Sequence, residues 1–121
     1  MIGVGIDAVE VDRFRGVLAR RSGMRDRLFT ADEVAYASSA NDPTERLAAR
    51  FAAKEAVMKV LGVGLGAVAF REIEVVRHRS GRPLLQLHGR AAELAVDAGV
   101  ERWHVSLTHT ATMAEAVVVA E

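Results

Sequence analysis

The chain has 121 residues, half of them hydrophobic, with 16 basic against 16 acidic side chains; this suits one folded domain and excludes a disordered chain. Zero net charge and 5% aromatic content give no bulk electrostatic case for binding nucleic acid or a membrane surface. The absence of cysteine removes disulfides, cysteine-ligated zinc and a thiol nucleophile.

From the N-terminus, residues 2–7 (IGVGID) alternate well enough for a first strand that ends on Asp7. The stretch MIGVGIDAVEVDR lacks a basic n-region and a carboxylate interrupts it, so it does not read as a signal peptide. No apolar run approaches the roughly 18 residues of a membrane span, and a cytoplasmic protein is the expectation. Residues 10–21 carry Val11, Phe14, Val17 and Leu18 at helical spacing. Thr30 followed by Glu33 is a capping-box signature for a short helix over 31–38. Asp42, Pro43 and Glu45 announce the main helix, about 44–61, which stops at Gly62. Residues 72–78 and 84–88 flank a Ser-Gly-Arg-Pro turn and read as a hairpin. A helix over 90–98 ends at Gly99, and 103–108 and 114–120 read as two closing strands. The order predicts an α+β fold with a mainly antiparallel sheet against a long central helix, a single domain spanning 1–121.

The main helix carries most of the chemistry. Leu47, Phe51, Met58 and Leu61 form a core stripe. Ala48, Ala52, Glu55 and Lys59 form a second, on which two alanines clear space beside a carboxylate with a lysine one turn on. Arg46, Arg50 and Lys54 form a third, either a solvated face or a phosphate-binding rail. All but two of the basic residues are arginine; the lysines, Lys54 and Lys59, bracket Glu55. Asp7 and Glu55 together could make a hard oxygen site, and two acids with nearby cations fit magnesium and a diphosphate better than calcium. On the strand WHVSLTHT (103–110), His104, Ser106 and Thr108 share one face, so the strand is either ligand-lined or solvated. No nucleophile elbow surrounds Ser106, and His104 and His109 fall on opposite faces, which argues against a serine hydrolase and against zinc. The GVGLG stretch (62–66) follows a helix instead of preceding one, so it reads as a helix stop.

Taken together, GVGID (3–7) with VEVDRF (9–14), RFAAKEAVMKVLG (50–62) and WHVSLTHT (103–110) resemble the bacterial acyl-carrier-protein synthases, small members of the 4′-phosphopantetheinyl transferase superfamily. The resemblance spans nearly the whole chain. It implies that fold, a homotrimer with the site between subunits, coenzyme A as substrate, magnesium, and an apo acyl carrier protein as partner. It implies Asp7 and Glu55 as metal ligands, Lys59 as a proton-transfer or phosphate-holding group, and Arg50 and Lys54 near the coenzyme A phosphates. His104, Ser106, Thr108, Gly62 and Gly64 would line the coenzyme site. Residues 13–27 hold six arginines (Arg13, Arg15, Arg20, Arg21, Arg25, Arg27) against Asp26, where the resemblance implies carrier docking. Departures at 22–45 and 111–113 bear on carrier choice. Two other classes share these residues: a magnesium-dependent nucleotide pyrophosphohydrolase, and a non-catalytic coenzyme A-binding module.

Overall fold

The computed structural model describes residues 1–121. In chain order the elements are β1 (Gly3–Glu10), α1 (Val11–Arg20), α2 (Met24–Leu28), α3 (Ala31–Ser38), α4 (Pro43–Leu61), a 3-10 turn (Phe70–Glu72), β2 (Ile73–Arg77), β3 (Pro83–Leu87), α5 (Gly89–Asp97), β4 (Trp103–His109) and β5 (Met113–Ala120). Capping fixes the helix starts. Thr30 accepts from the Glu33 amide while the Glu33 carboxylate accepts from the Thr30 amide, and Asp42 accepts from the Thr44 amide beside Pro43. Gly62 ends α4 in the left-handed region, at φ 69°, where a Cβ would be strained.

Three strands form an antiparallel sheet in the order β1-β5-β4, and β2-β3 is a separate antiparallel hairpin. The register sets Gly5, Val118 and Val105 in one inward row and Asp7, Ala116 and Leu107 in the next. The outward rows are Val4-Val119-His104 and Ile6-Val117-Ser106, continued by Ala8-Glu115-Thr108. The five-residue α2 was not expected. It begins at Gly23, held at φ 82°, and buries only Leu28, so it has no apolar period to announce it.

Helix α4 is the organising element. It contacts β1, β4, β5, α1, α3 and β2, and its alanines 48, 49, 52, 53 and 56 are all buried. The space that Ala48 and Ala52 clear beside Glu55 is therefore filled by packing. Small side chains let the helix backbone approach the sheet closely, and at one point nothing but hydrogen fits. A Cβ on Gly5 would lie 2.1 Å from the Ala56 carbonyl oxygen and 3.1 Å from a Val60 methyl. Backbone cannot yield as a side chain can, so Gly5→Ala should cost about 3 kcal/mol and lower the melting temperature by roughly 10 °C. Gly64→Ala, which meets nothing within 4 Å, should leave it unchanged by circular dichroism melting.

Candidate active site

Because Gly5 and Asp7 are two residues apart on β1, both face α4. Asp7 thus points at the helix where Glu55 and Lys59 lie. The Lys59 ammonium donates to the Asp7 carboxylate (3.0 Å) and to the Ile6 carbonyl (2.8 Å), while the lysine side chain stays about half exposed. Glu55 is partly buried beside them. Burial pushes its pKa above the usual glutamate range, the Asp7 charge adds to this, and Lys59 opposes it. Asp7 and Glu55 open into a cavity of about 580 Å³ whose other lining includes Arg13, Phe14, Phe51 and Phe70. The three rings form a continuous wall, with Phe14 and Phe51 centroids 4.9 Å apart and Phe51 and Phe70 stacked at 5.3 Å.

Two carboxylates and no third acidic or histidine ligand suit a magnesium ion, which keeps water or phosphate oxygens in its remaining positions. Zinc would want three or four protein ligands and calcium more oxygens. The donor set therefore fits magnesium.

The strand β4 residues lie elsewhere. His104, Ser106 and Thr108 are exposed on the outer face of the sheet, opposite the face that carries Asp7. His104 Nε2 sits 2.8 Å from Glu121, which also accepts from Arg102. Within one protomer these residues cannot meet the Asp7–Glu55 pair. The same outer face exposes Val4, Ile6 and Val117, at 55%, 61% and 38%. Gly62 and Gly64 lie on an exposed loop after α4, and Leu65 of that loop closes one side of the cavity.

The third stripe of α4 is neither a solvated face nor an open rail. Lys54 is fully buried, and its ammonium donates to Glu33 (2.8 Å), the Phe70 carbonyl (3.1 Å) and the Ile73 carbonyl (2.6 Å). Those three bonds use all its hydrogens. In this arrangement no hydrogen of the Lys54 ammonium is left over for a coenzyme A phosphate, which was the role that the family resemblance implied. Arg50 is 5% exposed; burial lowers its pKa, and its Nε has no partner. The guanidinium carbons of Arg50, Arg46 and Arg77 lie 4.3, 4.3 and 4.5 Å from the centre of the Tyr36 ring. None of the three is paired with a carboxylate. Sequence reading missed Tyr36 and Arg77, since their approach to Arg50 comes from separate elements, and it placed Phe14 at helical spacing with no sign of its place in the cavity wall. Of the six arginines in 13–27, Arg15 is tied to Asp12 and Asp42, and the other five are exposed and unpaired. Arg13 reaches the cavity rim.

The raised Glu55 pKa has a stability consequence. In acid, below the ordinary carboxylate range, Glu55 is neutral in both folded and unfolded chains. As pH rises through the raised value, the folded protein must carry a partly buried charge beside Asp7, and stability falls. In EDTA, Glu55→Gln should raise the melting temperature by about 3 °C at pH 7 and by under about 1 °C at pH 3.5 in scanning calorimetry.

Comparison with known proteins agrees with this geometry. Residues 3–114 match the family model for the 4′-phosphopantetheinyl transferase superfamily. The chain is 50% identical over 121 residues to the holo-[acyl-carrier-protein] synthase of Streptomyces avermitilis, covering all of this chain and 98% of that one. The crystal structure of the Neisseria meningitidis holo-[acyl-carrier-protein] synthase superposes with a TM-score of 0.89 at 32% identity, covering 100% of this chain and 99% of the other. The Helicobacter pylori enzyme in complex with coenzyme A does so with a TM-score of 0.86 at 28% identity, over 98% and 100%. With Asp7 and Glu55 lining an apolar cavity and Lys59 bonded to Asp7, the chain belongs to the holo-[acyl-carrier-protein] synthases of the 4′-phosphopantetheinyl transferase superfamily.

Proposed function

We propose that the protein transfers the 4′-phosphopantetheine group of coenzyme A to a serine of an apo acyl carrier protein, in a magnesium-dependent reaction that serves fatty acid biosynthesis in the cytoplasm. The observation that carries the proposal is the Asp7–Glu55–Lys59 cluster opening beside Arg13 into the apolar cavity. Asp7 and Glu55 would hold the magnesium ion, which when bound supplies positive charge to the coenzyme A diphosphate. Lys59, already bonded at the Asp7 carboxylate and half exposed, can turn its ammonium to a phosphate oxygen as charge builds there. The serine oxygen attacks the phosphorus nearest pantetheine, the diphosphate P–O bond breaks, and adenosine 3′,5′-bisphosphate leaves. The serine proton must pass to a base as its oxygen attacks.

The opposed faces of the sheet support an assembly. His104, Ser106 and Thr108 can complete a coenzyme site only against the Asp7 face of a second copy, and the exposed Val4, Ile6 and Val117 offer the apolar surface such an assembly buries. A homotrimer closes that relation around one axis. The unpaired cations of Arg46, Arg50 and Arg77 around Tyr36 suit a phosphate of coenzyme A. The five unpaired arginines of residues 13–27 suit an acidic carrier surface.

Intact-protein mass spectrometry of an apo acyl carrier protein incubated with the protein, coenzyme A and magnesium should show the gain of one phosphopantetheine. The gain should disappear with EDTA and fall by at least about 100-fold in Asp7→Ala and Glu55→Ala. Phosphopantetheine released without a carrier would instead indicate a pyrophosphohydrolase, and coenzyme A binding with no gain would indicate a non-catalytic module. Arg13→Ala should raise the carrier KM about 5-fold, and 0.5 M salt should raise it by about 10-fold in the unaltered protein. A carrier KM indifferent to salt would remove α1–α2 as the docking surface.

A further inference from the structure

We propose that the buried Glu33–Lys54 pair is a positioning device for the reaction, acting through Phe70 on the wall of the Asp7–Glu55 cavity and touching no part of coenzyme A. The inference rests on the transfer reading above for its kinetic consequences and on the fold alone for its structural ones.

The pair is saturated and joins four segments. Glu33, 1% exposed, accepts from the Thr30 amide and the Lys54 ammonium on one oxygen and from the Val75 amide (3.0 Å) on the other. Lys54 returns bonds to the carbonyls of Phe70 and Ile73. The start of α3, the middle of α4, the 3-10 turn and β2 are thus held at one point. Ion pairs buried this completely contribute little net stability over an apolar filling, because desolvation cancels most of the attraction. What they supply is geometry, since each donor has one acceptor.

That geometry leads to the site. The carbonyl held by Lys54 belongs to Phe70, whose ring stacks on Phe51 and lines the cavity with Asp7 and Glu55. Phe70 also ends the 62–69 loop. Its backbone bonds are Gly62 to Lys59, Val63 to Met58, Ala67 to Gly64 and Glu72 to Ala69, the Ala69 amide donates to the Glu72 side chain, and Val68 is buried in the core. Val68 seats the middle of the loop, and Lys54 fixes the point at which it returns to the cavity wall. Lys54 also precedes Glu55 directly on α4, so one helical turn sets both the carboxylate and the wall facing it. A displacement near 1 Å at such a wall is enough to cost about 100-fold in rate without altering any group that reacts.

The test uses Lys54→Met, Glu33→Gln and Phe70→Leu in the full chain, all at a temperature well below melting. Binding of adenosine 3′,5′-bisphosphate, which carries phosphates but no pantetheine arm, is measured by calorimetry. Its affinity should stay within about 2-fold in all three, while kcat falls by about 10- to 100-fold. In the Lys54→Met/Phe70→Leu double variant the losses should be strongly non-additive, because both act through one wall. Hydrogen exchange of amides 63–72 should speed by at least about 10-fold in Lys54→Met and Glu33→Gln, with β1 unchanged.

A loss of bisphosphate affinity of about 10-fold in Lys54→Met but not in Glu33→Gln would overturn the proposal and make Lys54 a phosphate ligand. Unchanged exchange over 63–72, or additive kinetic losses, would overturn it as well. If Lys54→Met fails to fold, Glu33→Gln, which keeps an acceptor for the ammonium, carries the same comparison. If the unaltered protein transfers nothing, the transfer reading falls separately, and the exchange measurement alone decides whether the pair anchors the wall.

Discussion

The contact between Gly5 and the Ala56 carbonyl governs the rest of the architecture. A helix and a sheet normally stand apart by the length of the side chains between them. Here a glycine on β1 and a run of alanines on α4 remove those side chains, and a Cβ at Gly5 would fall 2.1 Å from the helix backbone. The close approach fixes register as well as distance. Asp7 lies two residues along β1 from Gly5, on the same face, and Glu55 and Lys59 flank Ala56 on the helix. Two carboxylates therefore meet because two backbones do. Their mutual repulsion, with the burial that lifts the Glu55 pKa, is a cost the fold imposes on itself and that a bound cation relieves.

The same sheet keeps the outward residues of β4 apart from the Asp7–Glu55 pair within one copy. Strand periodicity sends Asp7 to the helix side and His104, Ser106 and Thr108 to the other, and no bend or bulge in the register brings them round. A sheet with one face against α4 ordinarily presents polar residues on the other. This one presents Val4, Ile6 and Val117 in rows that continue into His104 and Ser106. Apolar surface next to a polar ligand-lining strip is what an assembly with its site at the seam would require.

Much of this was legible in the sequence, and the exceptions have physical causes. The capping box at Thr30–Glu33, Pro43 after Asp42 and Gly62 after Leu61 gave helix limits that the structure matches within a residue, because caps are local. The β4 faces were also correct, since period 2 is local geometry. Helical spacing correctly grouped Arg46, Arg50 and Lys54, but spacing states which residues share a face and not what the face touches. That face lies against α3 and β2, and it took Glu33, 21 residues away, to turn Lys54 inward. The role of Glu33 illustrates the same limit. Its capping bond to Thr30 was readable three residues off, while its bonds to Lys54 and the Val75 amide depend on tertiary contacts.

Net charge near zero conceals how charge is placed. Acids and bases balance in number, yet five exposed arginines without a carboxylate partner gather between residues 13 and 27, and three more arginines, one of them buried, surround Tyr36. Lys54 and Glu55, adjacent in the chain, show the division at its smallest scale. About 100° of helical rotation separates them, which is enough to send one into the interior and the other into the cavity. The buried lysine finds a carboxylate and two carbonyls for its three hydrogens, although burial still lowers its pKa. The glutamate beside it is left partly buried with Asp7 for a neighbour and only an exposed lysine to offset the charge. A fold optimised for stability alone would compensate both. The hydrogen bonds that satisfy the lysine stop at the cavity wall, where the glutamate's charge is left for the proposed site to use.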